Sequence, residues 1–369
     1  MAANQPPLID LLGASWRLDS IIVGAAWSAD GSVAAFGLGD GTVALARARW
    51  EGGPKAGARA EGGIEVTLAT SPRPPVSRVQ AHKGACLALT ADPSGGFLSG
   101  GADGRRVRLA GDGTAHPRTE FDGRLIELVA AGNSGWIALA SGCDVRATGP
   151  AGESLTLPDA ATALAFDRTG HRLAIAHRDG VCIVADDAMA LRHLSSPERP
   201  LSLAWSPDGA YLASGLETGA MHVWRLPDGD EVVLADCPGE PRSLVFLADG
   251  SFLAASGGAR ATCWRFDPPS EAEPSGCGLP SSQHRVSRVA SHPSVPMLAV
   301  GYGHGAVMLG QPGSEDALFA KAGGGGAVTA LAFSPDGTLL AIGTEEGEAG
   351  IVLFPDGLLR RPGAQEASS

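Results

Sequence analysis

Apolar and polar residues alternate along most of this chain in short runs, each broken by turn residues. The clearest stretch runs from Arg199 to Leu226. Leu201, Leu203 and Trp205 alternate with Ser202 and Ala204, the period of a strand with one buried side. Ser206-Pro207-Asp208-Gly209 supplies a tight turn, in which proline presets φ and glycine accepts φ > 0. Tyr211 to Ala213 predicts the returning strand, Glu217 to Gly219 a second turn and Met221 to Trp224 a third strand. Pro227 to Gly229 turns again before Glu231 to Leu234. The unit is an antiparallel meander of four strands in about forty residues.

The first turn of this unit recurs as Ser28-Ala-Asp-Gly31, Asp92-Pro-Ser-Gly95, Gly132-Asn-Ser-Gly135, Asp167-Arg-Thr-Gly170, Leu247-Ala-Asp-Gly250, His292-Pro-Ser-Val295 and Ser334-Pro-Asp-Gly337. With Gly209 in sequence, the fourth positions are separated by 64, 40, 35, 39, 41, 45 and 42 residues, so only the first interval is too long for one unit. The last strand position before each turn holds Trp27, Ala91, Ala131, Phe166, Trp205, Phe246, Ser291 or Phe333, and the aromatic members suit packing between neighbouring units. Eight units are counted. Seven plus a decayed hairpin is the alternative, and Phe121 to Leu157, the weakest copy, is the unit it would drop.

The chain holds 52 glycines and 26 prolines and shows no sustained 3.6-residue period, so almost no helix is expected. Residues 1–369 read as one domain. Residues 1–7 and 359–369 are expected to be flexible ends, and 51–75, rich in Gly, Ala and Pro, an insertion that is either an extended hairpin or a flexible loop. Within it, Ile64 to Leu68 is strand-like. Asp267 to Ser282 predicts a second long loop. The final unit has strand-like sequence only as far as Phe354, so Leu8 to Leu18 is expected to supply its outermost strand.

Ser206-Pro-Asp-Gly, Leu212-Ala-Ser-Gly215 and a strand ending in Trp224 together resemble a WD repeat. The second unit is similar: His82 before its first strand, Ser99 and Asp103 stand at three positions of the family's structural hydrogen-bond network. Leu109 replaces the Trp there, and Arg225 and Arg265 follow Trp224 and Trp264 where the family usually has Asp. The resemblance implies an all-β fold: a β-propeller of eight four-stranded antiparallel blades (or seven), closed by the N-terminal strand, with His82, Ser99, Asp103, Trp224 and Trp264 as structural network residues. It also implies a contact face made by the loops before each inner strand and between each second and third strand. On this chain those loops carry Lys83, Arg105, Arg124, Arg178, Glu217, Arg242, Arg260, Arg285 and His304 as candidate partner-binding residues. Arginine suits carboxylate-bearing partners.

Net charge is −12, which disfavours binding to a phosphate backbone, and Arg105, Arg106 and Arg108 read as a solvated edge. No apolar run approaches the length of a bilayer span, and the first residues lack a secretory pattern, so no membrane association and a cytoplasmic location are expected. Six cysteines show no C-x-x-C pair or zinc spacing; Cys86, Cys182 and Cys263 fall in strands and read as small buried residues, Cys237 and Cys277 in loops. His171 and His177 could share a strand face. No nucleophile elbow, P-loop or H-E-x-x-H occurs, so no catalytic residue, metal ligand or cofactor is assigned. The favoured expectation is a non-catalytic scaffold or adaptor for a protein or peptide partner. The alternatives are an accessory factor in metal-ion (zinc) handling, using loop His and Cys residues, and an enzyme with its site in the central channel.

Overall fold

Short alternating runs between glycine turns fold as eight four-stranded antiparallel sheets, plus one two-stranded hairpin. The computed structural model describes residues 6–58, 64–148, 153–185, 191–235, 237–266, 275–278, 283–314 and 317–354. The expected flexible end at 359–369 and most of that at 1–7 lie outside these residues. The inner strands of blades 1 to 8 are Ile22–Trp27, Cys86–Ala91, Leu128–Ala131, Ala163–Phe166, Pro200–Trp205, Leu244–Phe246, Val286–Ser291 and Val328–Phe333. Each packs on the next, and the first packs on the eighth, so the blades close into a ring. The strands after the inner one follow in sequence order outward, and the core lies between blades.

The eighth blade joins the two ends of the chain. Gly13–Arg17 pairs antiparallel with Glu348–Leu353, in the register Gly13↔Val352 to Arg17↔Glu348. The N-terminal strand therefore closes the ring, but it is shorter than expected. Leu8–Leu12 is a five-residue helix that buries Ile9 and Leu12. The insertion is a hairpin, Lys55–Ala58 against Ile64–Thr67, and blade 1 takes its outermost strand, Ser77–Gln80, only after it. That detour accounts for the long first interval. Cys277 lies in the outermost strand of blade 6, Ser275–Cys277, and not in a loop as its Gly and Ser neighbours suggested.

The seven-blade alternative fails because the third unit is complete, with strands Leu128–Ala131, Ile137–Ser141, Asp144–Thr148 and Glu153–Thr156. Its inner strand lacks the aromatic anchor, having Ala131. Trp136, one turn later, meets Phe166 of blade 4 edge-on instead, with ring centroids 6.5 Å apart, and the Arg146 guanidinium covers the Phe121 ring at 4.5 Å.

Two devices stitch neighbouring blades. The anchors Trp27 and Trp205 donate their indole N–H to the backbone of the preceding blade, at Ala332 O (2.8 Å) and Ala165 O (3.0 Å). At the other end of the inner strands, hydroxyls donate forward. Thr162 reaches Pro200 O (2.7 Å), Ser202 reaches Pro241 O (2.5 Å), Ser243 reaches Val289 O (3.2 Å) and Ser287 reaches Val328 O (2.7 Å). Each bond ties the inner strand of one blade, or the loop entering it, to the backbone of the next blade.

The Ser-x-Asp-Gly turns share one hydrogen-bond pattern. In Ser206 to Gly209 the serine hydroxyl donates to Asp208 (2.5 Å) and accepts from Tyr211 N (2.8 Å), while Ala210 N donates to the same carboxylate (3.0 Å). Ser28 with Asp30, and Ser334 with Asp336, repeat it. The hydroxyl of Ser28, then the Ser32 backbone N–H, hold the Asp30 carboxyl down to about 2; Ser206 and Ala210 likewise lower Asp208. At Asp336 burial opposes the shift, and hydrogen bonds from Ser334 and Thr338 together outweigh it. Depressed carboxyls contribute stability that is present above their unfolded pKa, near 3.9, and lost as pH falls toward the folded value. The melting temperature is therefore expected to fall between about pH 4 and pH 2. A triple Asp→Asn variant at 30, 208 and 336 should fall less steeply there, as followed by circular dichroism. An equal slope would mean that these turns do not set acid sensitivity.

Candidate functional site

Antiparallel order sends two kinds of loop to one end of the ring: those between second and third strands, and those leading into each inner strand. All nine candidate contact residues sit on these loops or at their strand ends, and they come from blades 2 to 7. The Ser-x-Asp-Gly turns lie on the opposite end.

Local packing keeps the contact face tight. Gly41 and Gly305, in second-to-third-strand turns, have φ of 87° and 88°. A Cβ at Gly41 would collide with the Gly84 carbonyl, and one at Gly305 with the Gly324 carbonyl, each on the loop entering the next blade. Only glycine lets turn and loop approach this closely.

The nine residues do not form one patch of unpaired positive charge. Arg124 meets Asp144 at 2.5 Å, Arg242 meets Glu240 at 2.6 Å and Arg178 meets Asp159 at 3.8 Å. Arg105 is 4.0 Å from Asp103. Arg260 donates to Gly278 O (2.7 Å), and Arg285 donates to Pro238 O and to Gly257 O (3.0 Å), so these two clamp loop backbones of blade 6. His304 stacks on His284 with centroids 4.5 Å apart; burial, then His284 and Lys321, push its pKa down. Lys83 and Glu217 are exposed. Counting arginines along the sequence overstated the positive character of this face: Asp144 and Asp159 come from other loops to meet Arg124 and Arg178, and Asp103 and Glu240 lie two residues before Arg105 and Arg242.

His82, Ser99 and Asp103 are joined. His82 Nδ1 is 3.0 Å from Asp103 Oδ1, and its Nε2 is 2.8 Å from the Ser99 hydroxyl. The second carboxylate oxygen accepts from Lys83 N (3.1 Å). The network fixes the loop that carries Lys83 onto blade 2. Burial lowers the His82 pKa against the opposing effect of Asp103. Trp224 and Trp264 are buried in blades 5 and 6 and take no part in it; Trp224 packs against His222 with centroids 4.2 Å apart.

One close cysteine–histidine pair occurs among the described residues, Cys182 Sγ with His177 Nε2 at 3.5 Å. Burial raises the Cys182 pKa and, with His193, lowers that of His177. A thiol kept protonated in this way is the reverse of an activated nucleophile. Sequence reading missed the pair because its members lie on different strands. On the opposite end of the ring, a cleft of about 430 Å³ opens beside the closing strand, lined in part by Leu12, Trp50, Lys55 and Phe354; none of the nine candidate residues borders it.

The WD40 model (WD domain, G-beta repeat) matches residues 191–225 and 320–350, around blades 5 and 8. No curated protein matches the chain. Among solved structures, the chain is similar to the crystal structure of the computationally designed Ika8 protein, with TM-score 0.69 and 16% identity over 92% of this chain and 98% of that one. At that identity the likeness speaks for the fold alone. The two repeat matches and the eight-bladed ring together support a WD-repeat propeller family for this chain. Such propellers commonly serve as protein-interaction scaffolds and are generally not enzymes. Among the described residues no helix is long and apolar enough to cross a membrane.

Proposed function

We propose that this chain is a non-catalytic scaffold that binds a protein or peptide partner across the face bearing Lys83, Arg105, Arg124, Arg178, Glu217, Arg242, Arg260, Arg285 and His304. The observation that carries the reading is the convergence of charged loops from six blades on one end of a closed ring. Tight glycine turns and the His82–Asp103 bond hold those loops in place. A rigid face of this kind binds with little ordering cost. Within it, Lys83, Arg178, Glu217 and Arg242 are exposed and suit direct contact, while Arg260 and Arg285 hold loop shape. The alternating charges favour a partner with charges of both signs over a uniform polyanion, and the net charge of −12 argues the same way.

Affinity capture from native extract, followed by mass spectrometry, identifies the partner. A Lys83→Glu/Arg242→Glu variant should then weaken binding at least tenfold, with the melting temperature within a degree or two of the parent. Exposed pairs such as Arg242–Glu240 contribute only about 0–1 kcal/mol to stability. Undiminished binding by the folded variant would move the contact off this face.

A further inference from the structure

Blade 4 assembles three metal-ligating side chains from three adjacent strands. His177 ends the second strand, Arg172–His177; Cys182 lies in the third, Gly180–Ala185; His193 lies in the outermost, Arg192–Ser195. Cys182 and His193 are direct register partners. The two imidazoles are 5.4 Å apart, and one donor atom from each of the three residues lies within 4.8 Å of the others. Tetrahedral zinc, with Zn–N of about 2.0–2.1 Å and Zn–S of about 2.3 Å, holds neighbouring donors roughly 3.3–3.6 Å apart. The 3.5 Å between Cys182 Sγ and His177 Nε2 already meets that spacing. His193 is exposed, so its ring can turn to close the remainder.

We propose that His177, Cys182 and His193 form a binding site for a thiophilic divalent cation of the zinc class, with solvent completing the coordination on the His193 side. Two imidazoles and one thiolate are a donor set that suits zinc. Two of the three ligands are buried and therefore held in place, while the third gives access. The carboxylates of Asp179 and Asp159 are close enough to act on the His177 ring, and their field favours a cation. Binding of one divalent ion forms a metal–sulfur bond and two metal–nitrogen bonds, and releases the Cys182 thiol proton to solvent. Ligation through His177 Nε2 moves the ring proton to Nδ1, so the long 3.4 Å contact from Asp179 N is given up.

Cobalt(II) titrated into the intact metal-free protein tests this. Thiolate-to-cobalt charge-transfer absorption and the visible bands of a tetrahedral ion should grow to saturation, and added zinc should bleach them. Cys182→Ser should abolish the charge-transfer band. His193→Ala, at an exposed position, should leave the melting temperature unchanged and weaken zinc binding, measured by competition, at least tenfold. His116→Ala, outside the cluster, should change nothing. No cobalt band in the parent protein, or unaltered zinc affinity in the folded His193→Ala variant, would overturn the site.

Discussion

Deletion of residues 1–18 is expected to abolish the folded ring. The deletion removes the outermost strand of blade 8 and with it Ile9, Leu12, Trp16 and Leu18, all buried. At about 1.5–3 kcal/mol for each large apolar side chain, the lost burial is of order 6–12 kcal/mol as an upper bound. That is comparable with the whole stability of a typical domain, about 5–15 kcal/mol. Polar links go too: Trp16 Nε1 to Pro74 O (2.9 Å), Arg78 to Leu18 O (3.1 Å) and Leu18 N to Gly347 O (2.8 Å). The first two tie the closing strand to blade 1 as well as blade 8. The strand Glu348–Leu353 would be left as an open edge, a template for pairing with other chains. Thermal denaturation should show loss of the cooperative transition, and size-exclusion chromatography should show aggregate. A monodisperse truncated protein with the parent melting temperature would show that closure does not hold the ring together.

Lys321→Met is expected to cost about 2–3 kcal/mol, less than the roughly 3–5 kcal/mol of breaking a fully buried pair, because Glu348 retains some solvent. Lys321 ends the outermost strand of blade 7 and is 4% exposed. Its ammonium donates to the carbonyls of Gly305 (3.2 Å), Ala322 (3.1 Å) and Gly324 (3.1 Å), and meets Glu348 Oε2 at 2.9 Å. One side chain thereby gathers a turn of blade 7, the loop to blade 8 and the third strand of blade 8. Methionine fits the volume but leaves these acceptors without a donor. Glu348→Gln, by contrast, should cost under about 1 kcal/mol, since its amide can still accept from Lys321 and reach water. Urea denaturation of both variants measures the difference. Equal, small losses would mean that the carbonyls find other donors.

The ring was legible because its signals are local. Ser206-Pro-Asp-Gly209 states a turn, and Leu201, Leu203 and Trp205 state a strand, within nine residues. Blade 3 was harder: the aromatic that fills its seam is Trp136, just before the second strand and away from the inner-strand position that carries the anchor in other blades. The expected strand from Leu8 to Leu18 is divided: Leu8–Leu12 is helical, and only the five residues Gly13–Arg17 pair with blade 8. The contact face was legible as a set of loops but not as a charge pattern. Arg124 and Asp144, twenty residues apart, become partners only through the blade 3 fold. The His177–Cys182–His193 cluster has no spacing signature, because strand register and not a short motif brings its members together.

The pairing of Gly13 with Val352 also orders events during synthesis. A ribosome delivers the closing segment before any blade, and its partner strand only after seven blades and most of the eighth. Until then, Ile9, Leu12, Trp16 and Leu18 emerge into the cell with nowhere permanent to go. Bringing chain ends so distant together is also the most entropically demanding contact of the fold. While the intervening blades are made the newborn polypeptide is thus an unfastened band, and its window of vulnerability to misassociation lengthens with every blade added.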